Sequence, residues 1–396
     1  MADVLRTHGN AYRARHPISP EQATVMRHLV ACRTAALGGH RDACQSCGFT
    51  RISYNSCRDR HCPKCQATKR VQWLETRLER LLPVDYFHVV FTLPQELKPL
   101  LLKNRRVVYQ LLFRAASQTL LQLAADPNRL GAQIGFTAIL HTWGQNLLLH
   151  PHLHCVVTGG GLSPDGQRWI PARSGYLLPV KVLGRLFRGK FLAGFKQLHQ
   201  AGQLQLTGSV GHLACPRAFG QLLAGLYGQN WFVYAKPPFG GAERVYRYLG
   251  RYTHRVAISN SRLVSFTDGR VCFRYKDYAD ASRIKRITIS AEEFIRRFLL
   301  HVLPKRFVRI RHYGLLASRN VSTRLEQARQ LLDAPPPTVA EAEHKTGMDR
   351  LREWMDEHLM KCPRCDNPLK RQPLERLPSQ MIALDLAYPV PVLDSS

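Results

Sequence analysis

The stretch LLLHPHLHCVVTGGG, residues 147–161, places imidazoles at His150, His152 and His154, one at every second position. Successive side chains of an extended strand point to opposite faces, so residues two apart share one. His152 and His154 then point the same way, while Leu153, Cys155 and Val157 fill the other face against helices. A single histidine in such a strand is most often a neutral core residue or part of a polar face. Two neighbouring imidazoles in a cleft are also a good start on a metal site, and spacing alone leaves both readings open.

The eleven cysteines fall largely into two short clusters of a long chain, a pattern of metal binding rather than of a disulfide framework. In CQSCGFTRISYNSCRDRHCPKC the outer pairs are Cys44 with Cys47 and Cys62 with Cys65. Each Cys-x2-Cys turn brings two thiolates to one ion, and these two turns predict one tetrahedral structural Zn2+ site. Cys57, His61 and His40 are spare donors nearby, and reduced thiols without metal are the other reading. HLMKCPRCDNPLK offers a single further knuckle, Cys362 and Cys365, with His358 and His344 upstream: half a site.

In ERVYRYLGRYTHR, Tyr248 and Tyr252 are four apart and share one face of a helix, while Tyr246 falls elsewhere. Arg247, Arg251 and Arg255 form a cationic ridge beside them. An amphipathic helix with core-capping tyrosines and solvated arginines would look the same. A phenolate is also a nucleophile able to attack a phosphodiester and hold it as phosphotyrosine. A metal held by two histidines can polarise and orient such a phosphate.

The elements around these residues must hold them in a chain of 396 residues whose Lys and Arg outnumber Asp and Glu by 57 to 28, a formal charge of +29. A polyanionic partner is the first expectation. No run of 18 apolar residues occurs and MADVLRTHGN lacks a signal-peptide core, which points to a cytoplasmic protein with no membrane partner.

Along the chain, SPEQATVMRHLVACRTAALGG predicts a helix capped by Ser19 and Pro20 and stopping at Gly38 and Gly39. A basic helix, ATKRVQWLETRLERLL, leads out of the cysteine module. YFHVVFTLP is a strand, residues 95–125 are helical with a break near Pro99, and IGFTAILHTW is a second strand ahead of the histidine strand. A helix near residues 180–200 and the strand WFVYAKPPF follow. Asp165-Gly166 and Asp268-Gly269 suit tight hairpin turns, SRIKRITIS a further strand and AEEFIRRFLLHVL a last helix. The order implies an α+β fold: a central antiparallel sheet with packed helices, a small N-terminal zinc-binding module and a helical C-terminal region. The expected boundaries are 1–80, 81–318 and 319–396, the last set off by the linker DAPPPTVAEAE.

The blocks NSCRDRHCPKCQ, HPHLHCVVTGGG and YLGRYTHRVAISN resemble the three signature blocks of the two-tyrosine rolling-circle transposases of the insertion-sequence ninety-one type, within the His-hydrophobic-His endonuclease superfamily. The likeness spans roughly residues 15–315 in consistent order. It implies that His152 and His154 hold a catalytic Mg2+ or Mn2+, that Tyr248 and Tyr252 are the nucleophiles, and that the cysteine block is the family's zinc-binding domain. Superfamily relatives often add a third ligand from upstream. Here Gln145 fits that offset, with His141 and His150 as rivals, and no Asp or Glu lies between residues 127 and 164.

The implied activity is nicking and rejoining of single-stranded DNA at transposon ends and target site through 5′-phosphotyrosine, in a nucleoid-associated protein whose freed 3′-OH host replication machinery can extend. Arg247, Arg251 and Arg255 would hold backbone phosphates, and His254 is a candidate proton acceptor. Trp73 beside Lys69, Arg70 and Arg77 is a candidate DNA grip. A plasmid or phage rolling-circle replication initiator would use the same residues. A non-catalytic nucleic-acid-binding zinc protein would use neither the histidines nor the tyrosines.

Overall fold

A computed structural model of the chain describes residues 1–236, 257–278, 280–333 and 359–376, with Asp349 and Glu353. Two helices open it, α1 (Ala2–Arg15) and α2 (Pro20–Ala31). Ser19 and Gln22 close a reciprocal capping box at the start of α2, with Pro20 at the first helical position. The helix ends at Ala31, earlier than the glycine pair suggested, because Cys32 turns into extended backbone and its sulfur meets that of Cys62 at 3.5 Å. The hairpin β1 (Gly39–Cys44) and β2 (Thr50–Tyr54) and the helix α3 (Ala67–Leu78) complete this region.

The central sheet follows. Its strands are β3 (Tyr86–Thr92), β4 (Gln133–Trp143) and β5 (Leu149–Leu162), with β3 and β4 joined by α4 (Lys98–Lys103) and α5 (Arg105–Ala125). The helical break falls at Asn104, since Pro99 sits in the first turn of α4 where its missing N–H costs nothing. The short β6 (Trp169–Pro171) pairs with β5, and α6 (Val180–Gln200) and α7 (Pro216–Gly228) lead to β7 (Val233–Lys236).

A meander of β8 (Leu263–Thr267), β9 (Arg270–Asp277) and β10 (Arg283–Ser290) runs into α8 (Ala291–Leu299), and then come β11 (Ile310–Gly314), α9 (Arg324–Leu331) and β12 (Leu369–Leu374). Asp268 and Gly269 both take positive φ, 50° and 68°, which the twist of a two-residue hairpin demands. The central sheet runs β11-β4-β5-β3-β7, every pair antiparallel, so the α+β reading holds.

Alternation splits β5 as its sequence suggests. Leu149, Leu153, Cys155 and Val157 join Phe87, Val89 and Phe91 of β3 in the main core, against α5 and α6. Burying each such large apolar side chain stabilises by about 2 kcal/mol. The opposite face carries Ile139, Val156 and Tyr86, covered by Trp73, Leu74 and Leu78 of α3. Backbone also approaches closely at the glycine triplet: a Cβ on Gly159 would lie 2.7 Å from the Asp85 carbonyl oxygen, and one on Gly160 2.6 Å from that of Ile170.

A second core joins α1 and α2 to β9 and α8 through Tyr12, Met26, Leu29, Phe273, Phe294 and Phe298, and it takes in Leu147 from the β4–β5 turn. The C-terminal strand β12 lies antiparallel to β1, making a three-stranded sheet β12-β1-β2. The C-terminal part therefore contributes a strand to the N-terminal module as well as the expected helix. Among the described residues, no helix is long and apolar enough to cross a membrane.

Candidate active site

On the face of the sheet opposite the main core, three imidazoles converge. His141 of β4 stands directly across from His152 of β5, and directly opposed residues of an antiparallel pair share a face. His154 comes next along β5 on that face. One ring nitrogen from each of His141, His152 and His154 lies within 4.8 Å of the other two.

A hydrogen bond to a carbonyl fixes the proton of His152. His152 Nδ1 is 2.6 Å from the His150 carbonyl oxygen and donates to it, leaving Nε2 as a bare lone pair. That Nε2 is 3.0 Å from Nε2 of His154, whose own Nδ1 contacts Nε2 of His88 at 2.8 Å. When His154 Nδ1–H donates to His88, the two facing Nε2 atoms are both lone pairs, and at 3.0 Å they repel unless a cation lies between them. Adjacent positions on an octahedral ion with bonds of about 2.1 Å are separated by about 3.0 Å, so the donors fit a divalent metal.

Burial keeps the rings neutral. It lowers His152 to about 4 and His88 to about 4, the latter helped by the charge of Lys236. His141 and His154 are held well below the ordinary imidazole range by burial. The charge of Arg309 also lowers His141; Arg309 is itself buried, lowered to about 9 by desolvation, and its Nη1 has no hydrogen-bond partner among the described residues. The hairpin behind the cluster is braced by fully buried His301, whose Nδ1 accepts from the Thr142 hydroxyl at 3.2 Å and whose Nε2 donates to the Leu147 carbonyl at 3.0 Å.

The cysteines form two clusters, not the single one expected. Cys62 and Cys65 gather with Cys32 and Cys57, while Cys44 and Cys47 gather with Cys362 and Cys365. The set Cys44, Cys47, Cys62 and Cys65 is therefore corrected: β1 carries the first knuckle to β12, and the end of α2 supplies Cys32 in its place. Sulfurs on a tetrahedral ion with bonds of about 2.3 Å are about 3.8 Å apart. Cys62 and Cys32 are 3.5 Å apart, Cys57 and Cys65 3.7 Å.

Comparison with known proteins gives the family. The family described as "Transposase zinc-binding domain" matches residues 4–93, and that described as "Putative transposase" matches residues 135–323. "Putative transposase y4qJ" of Sinorhizobium fredii is 53% identical over 367 residues, 92% of either chain. The chain belongs to the insertion-sequence ninety-one family of transposases. The "Transposase for insertion sequence element IS801" of Pseudomonas savastanoi pv. phaseolicola is 30% identical over 325 residues, 78% of this chain and 73% of that one. No solved structure gives a significant match.

As a member of that family, this transposase is an enzyme that cuts and rejoins DNA, and its N-terminal cysteines belong to a zinc-binding domain. Its structure brings His152 and His154 together as the spacing suggested, but the third member of the trio is His141. Gln145 lies beyond the strand ends in the β4–β5 turn, its side chain 3.5 Å from the Tyr278 hydroxyl. Tyr248, Tyr252, Arg247, Arg251, Arg255, Tyr246 and His254 lie outside the described residues, as do His344 and His358.

Of the spare donors, Cys57 joins a cluster. His61 instead bonds Asp59 Oδ1 at 2.8 Å and accepts from the Leu303 N–H at 3.3 Å, a structural role. Trp73 of the transposase packs on the sheet beside Tyr86, and Arg77 bonds His312 at 2.9 Å, so neither presents a free DNA grip. Sequence reasoning missed Cys32, His88 and Arg309. The first is a lone cysteine at a helix end, the second a lone histidine in an apolar strand, and the third precedes a strand that nothing marks as the neighbour of β4.

Proposed function

We propose that the chain nicks and rejoins single-stranded DNA at the ends of its mobile element through 5′-phosphotyrosine links, in a rolling-circle scheme. The observation that carries this reading is the trio His141, His152 and His154, neutral and converging on one sheet face of a chain with a net charge of +29. A divalent cation, Mg2+ or Mn2+, held there would polarise the scissile phosphate and orient it for in-line attack. The His150 carbonyl holds the His152 tautomer that leaves Nε2 as an acceptor, and donation from His154 Nδ1 to His88 would do the same for His154. Arg309, a buried cation with an open donor beside this cluster, is suited to a phosphate oxygen.

In the chemical step the phenolate oxygen of Tyr248 or Tyr252 bonds to phosphorus and the bond to the 3′ oxygen breaks. That oxygen leaves as a 3′-OH after taking a proton. The other tyrosine repeats the cut on a second strand, and the free 3′-OH then attacks the first phosphotyrosine, which rejoins DNA and releases the phenol. Positions four apart on a helix are about 6 Å apart along its axis, so tyrosines with that spacing in sequence could each reach one phosphate after a small shift. Arg247, Arg251 and Arg255 would grip the strand backbone. The site of action would be the nucleoid, with host polymerase extending the 3′-OH.

Labelled terminal DNA incubated with the protein and Mn2+ tests this reading. Cleavage confined to the single-stranded form and abolished by chelation is expected. Metal-independent cleavage, or equal cleavage of duplex, would contradict it.

A further inference from the structure

We propose that Cys44, Cys47, Cys362 and Cys365 hold a second zinc ion, separate from any ion at Cys32, Cys57, Cys62 and Cys65, and that this ion fastens the C-terminal strand to the N-terminal module. The matched zinc-binding family ends at residue 93, so it contains Cys44 and Cys47 but neither C-terminal partner. The four sulfurs converge, each within 4.8 Å of the others, with Cys44 3.5 Å from Cys365 and Cys47 3.4 Å from Cys362. These distances exceed a disulfide bond of about 2.05 Å and approach the edges of a tetrathiolate tetrahedron.

The two knuckles also share one shape. The Cys44 N–H bonds the Phe49 carbonyl at 2.8 Å, and the Cys362 N–H bonds the Asn367 carbonyl at the same distance. In each, the residue after the second cysteine is left-handed: Gly48 at φ 70° and Asp366 at φ 59°. Such turns aim backbone N–H groups at sulfur, and the Arg364 N–H lies 3.4 Å from Cys362 Sγ. Thiolates with bound metal gain from donors of this kind.

The rest of the surroundings are built for the same join. Beneath the sulfurs, Cys44, Cys362 and Leu369 form a small core with Phe49, too small to hold two chain segments by apolar contact alone. Two residues back along β1, fully buried Asp42 takes Arg51 at 2.8 Å and Arg371 of β12 at 2.7 Å. Two matched knuckles at the end of a three-stranded antiparallel sheet make a metal-dependent fold, assembled from both ends of one chain.

Two measurements on the full-length protein test this. Elemental analysis should find two zinc ions per chain in the wild type and one in the Cys362→Ser/Cys365→Ser variant, with Cys215→Ser keeping two. One zinc in the wild type, or two in the double variant, would overturn the proposal. A second readout needs no folded variant: wild-type protein is alkylated and mapped by mass spectrometry. Cys47, Cys365 and Cys215 are all exposed. Cys47 and Cys365 should react at least about tenfold more slowly than Cys215 and catch up after chelation. Equal rates before chelation would contradict the second ion.

Discussion

Nε2 of His88 lies 2.8 Å from Nδ1 of His154, on the side of that ring away from His152. The contact makes His88, two residues into β3, a positioning residue for a ring on the neighbouring strand. Outer partners of metal-bound histidines typically contribute 10- to 100-fold in metal affinity. We expect His88→Ala to weaken Mn2+ binding by about that range and His88→Gln, whose amide oxygen can accept the same hydrogen bond, to recover part of it. Titration calorimetry reads both, and Mn2+ affinity unchanged in His88→Ala would remove the role.

His141 and Gln145 compete directly for the third position. Loss of an electrostatic stabiliser at a reacting centre commonly costs on the order of 100-fold in rate. We expect His141→Ala to lower cleavage of single-stranded DNA by at least about that factor, with Gln145→Ala within threefold of wild type. The reverse ranking would restore Gln145 as the ligand. Binding of the same DNA at low salt should survive both changes, since backbone contacts supply most of that affinity.

Buried Arg309 should behave as a functional charge rather than a structural one. Replacing an unpaired buried charge by an apolar group of similar size is often neutral or stabilising. Arg309→Met should therefore leave the thermal midpoint unchanged or raised while cleavage falls. A large loss of stability with normal cleavage per folded molecule would reverse that assignment.

Stability should fall in mild acid. Burial lowers His301 to about 3 and, with the charges of Arg77 and Arg80, His312 to about 4, so the native state keeps both neutral well below the imidazole value of 6.5. The unfolded chain binds these protons first, so the contribution is complete above about pH 6.5 and is lost as pH falls from there towards 4. Denaturant melts at pH 7.5 and 5.0 should differ by on the order of a few kcal/mol. His301→Gln, which cannot titrate, should flatten part of that slope, and an unaltered slope would exclude His301 as a contributor.

Local pattern carried much of the architecture. The alternation of β5, the cap at Ser19, the hairpin at Asp268-Gly269 and, among the described residues, the order of strands and helices are properties of neighbouring residues, and each is realised. What the sequence hid depends on pairing across long separations. His141 meets His152 only because β4 and β5 pair in one register, and a slip of one residue would turn it to the other face. Two Cys-x2-Cys turns close in sequence suggested one site, but β12 returns from beyond residue 360 to claim the first knuckle and leaves the second to Cys32. Gln145 had the right offset but sits past the strand ends, where position along the chain no longer fixes a face.

The central claim is that Tyr248 and Tyr252 form a covalent link to single-stranded DNA beside the histidine trio. Incubation of labelled single-stranded terminal DNA with Mn2+, followed by a denaturing gel and peptide mapping of the adduct, tests it most directly. The account predicts an adduct on Tyr248 or Tyr252 for the wild type, a weaker one for each Tyr→Phe single variant, and none for Tyr248→Phe/Tyr252→Phe or for His152→Ala. An adduct that persists in the double tyrosine variant would contradict it.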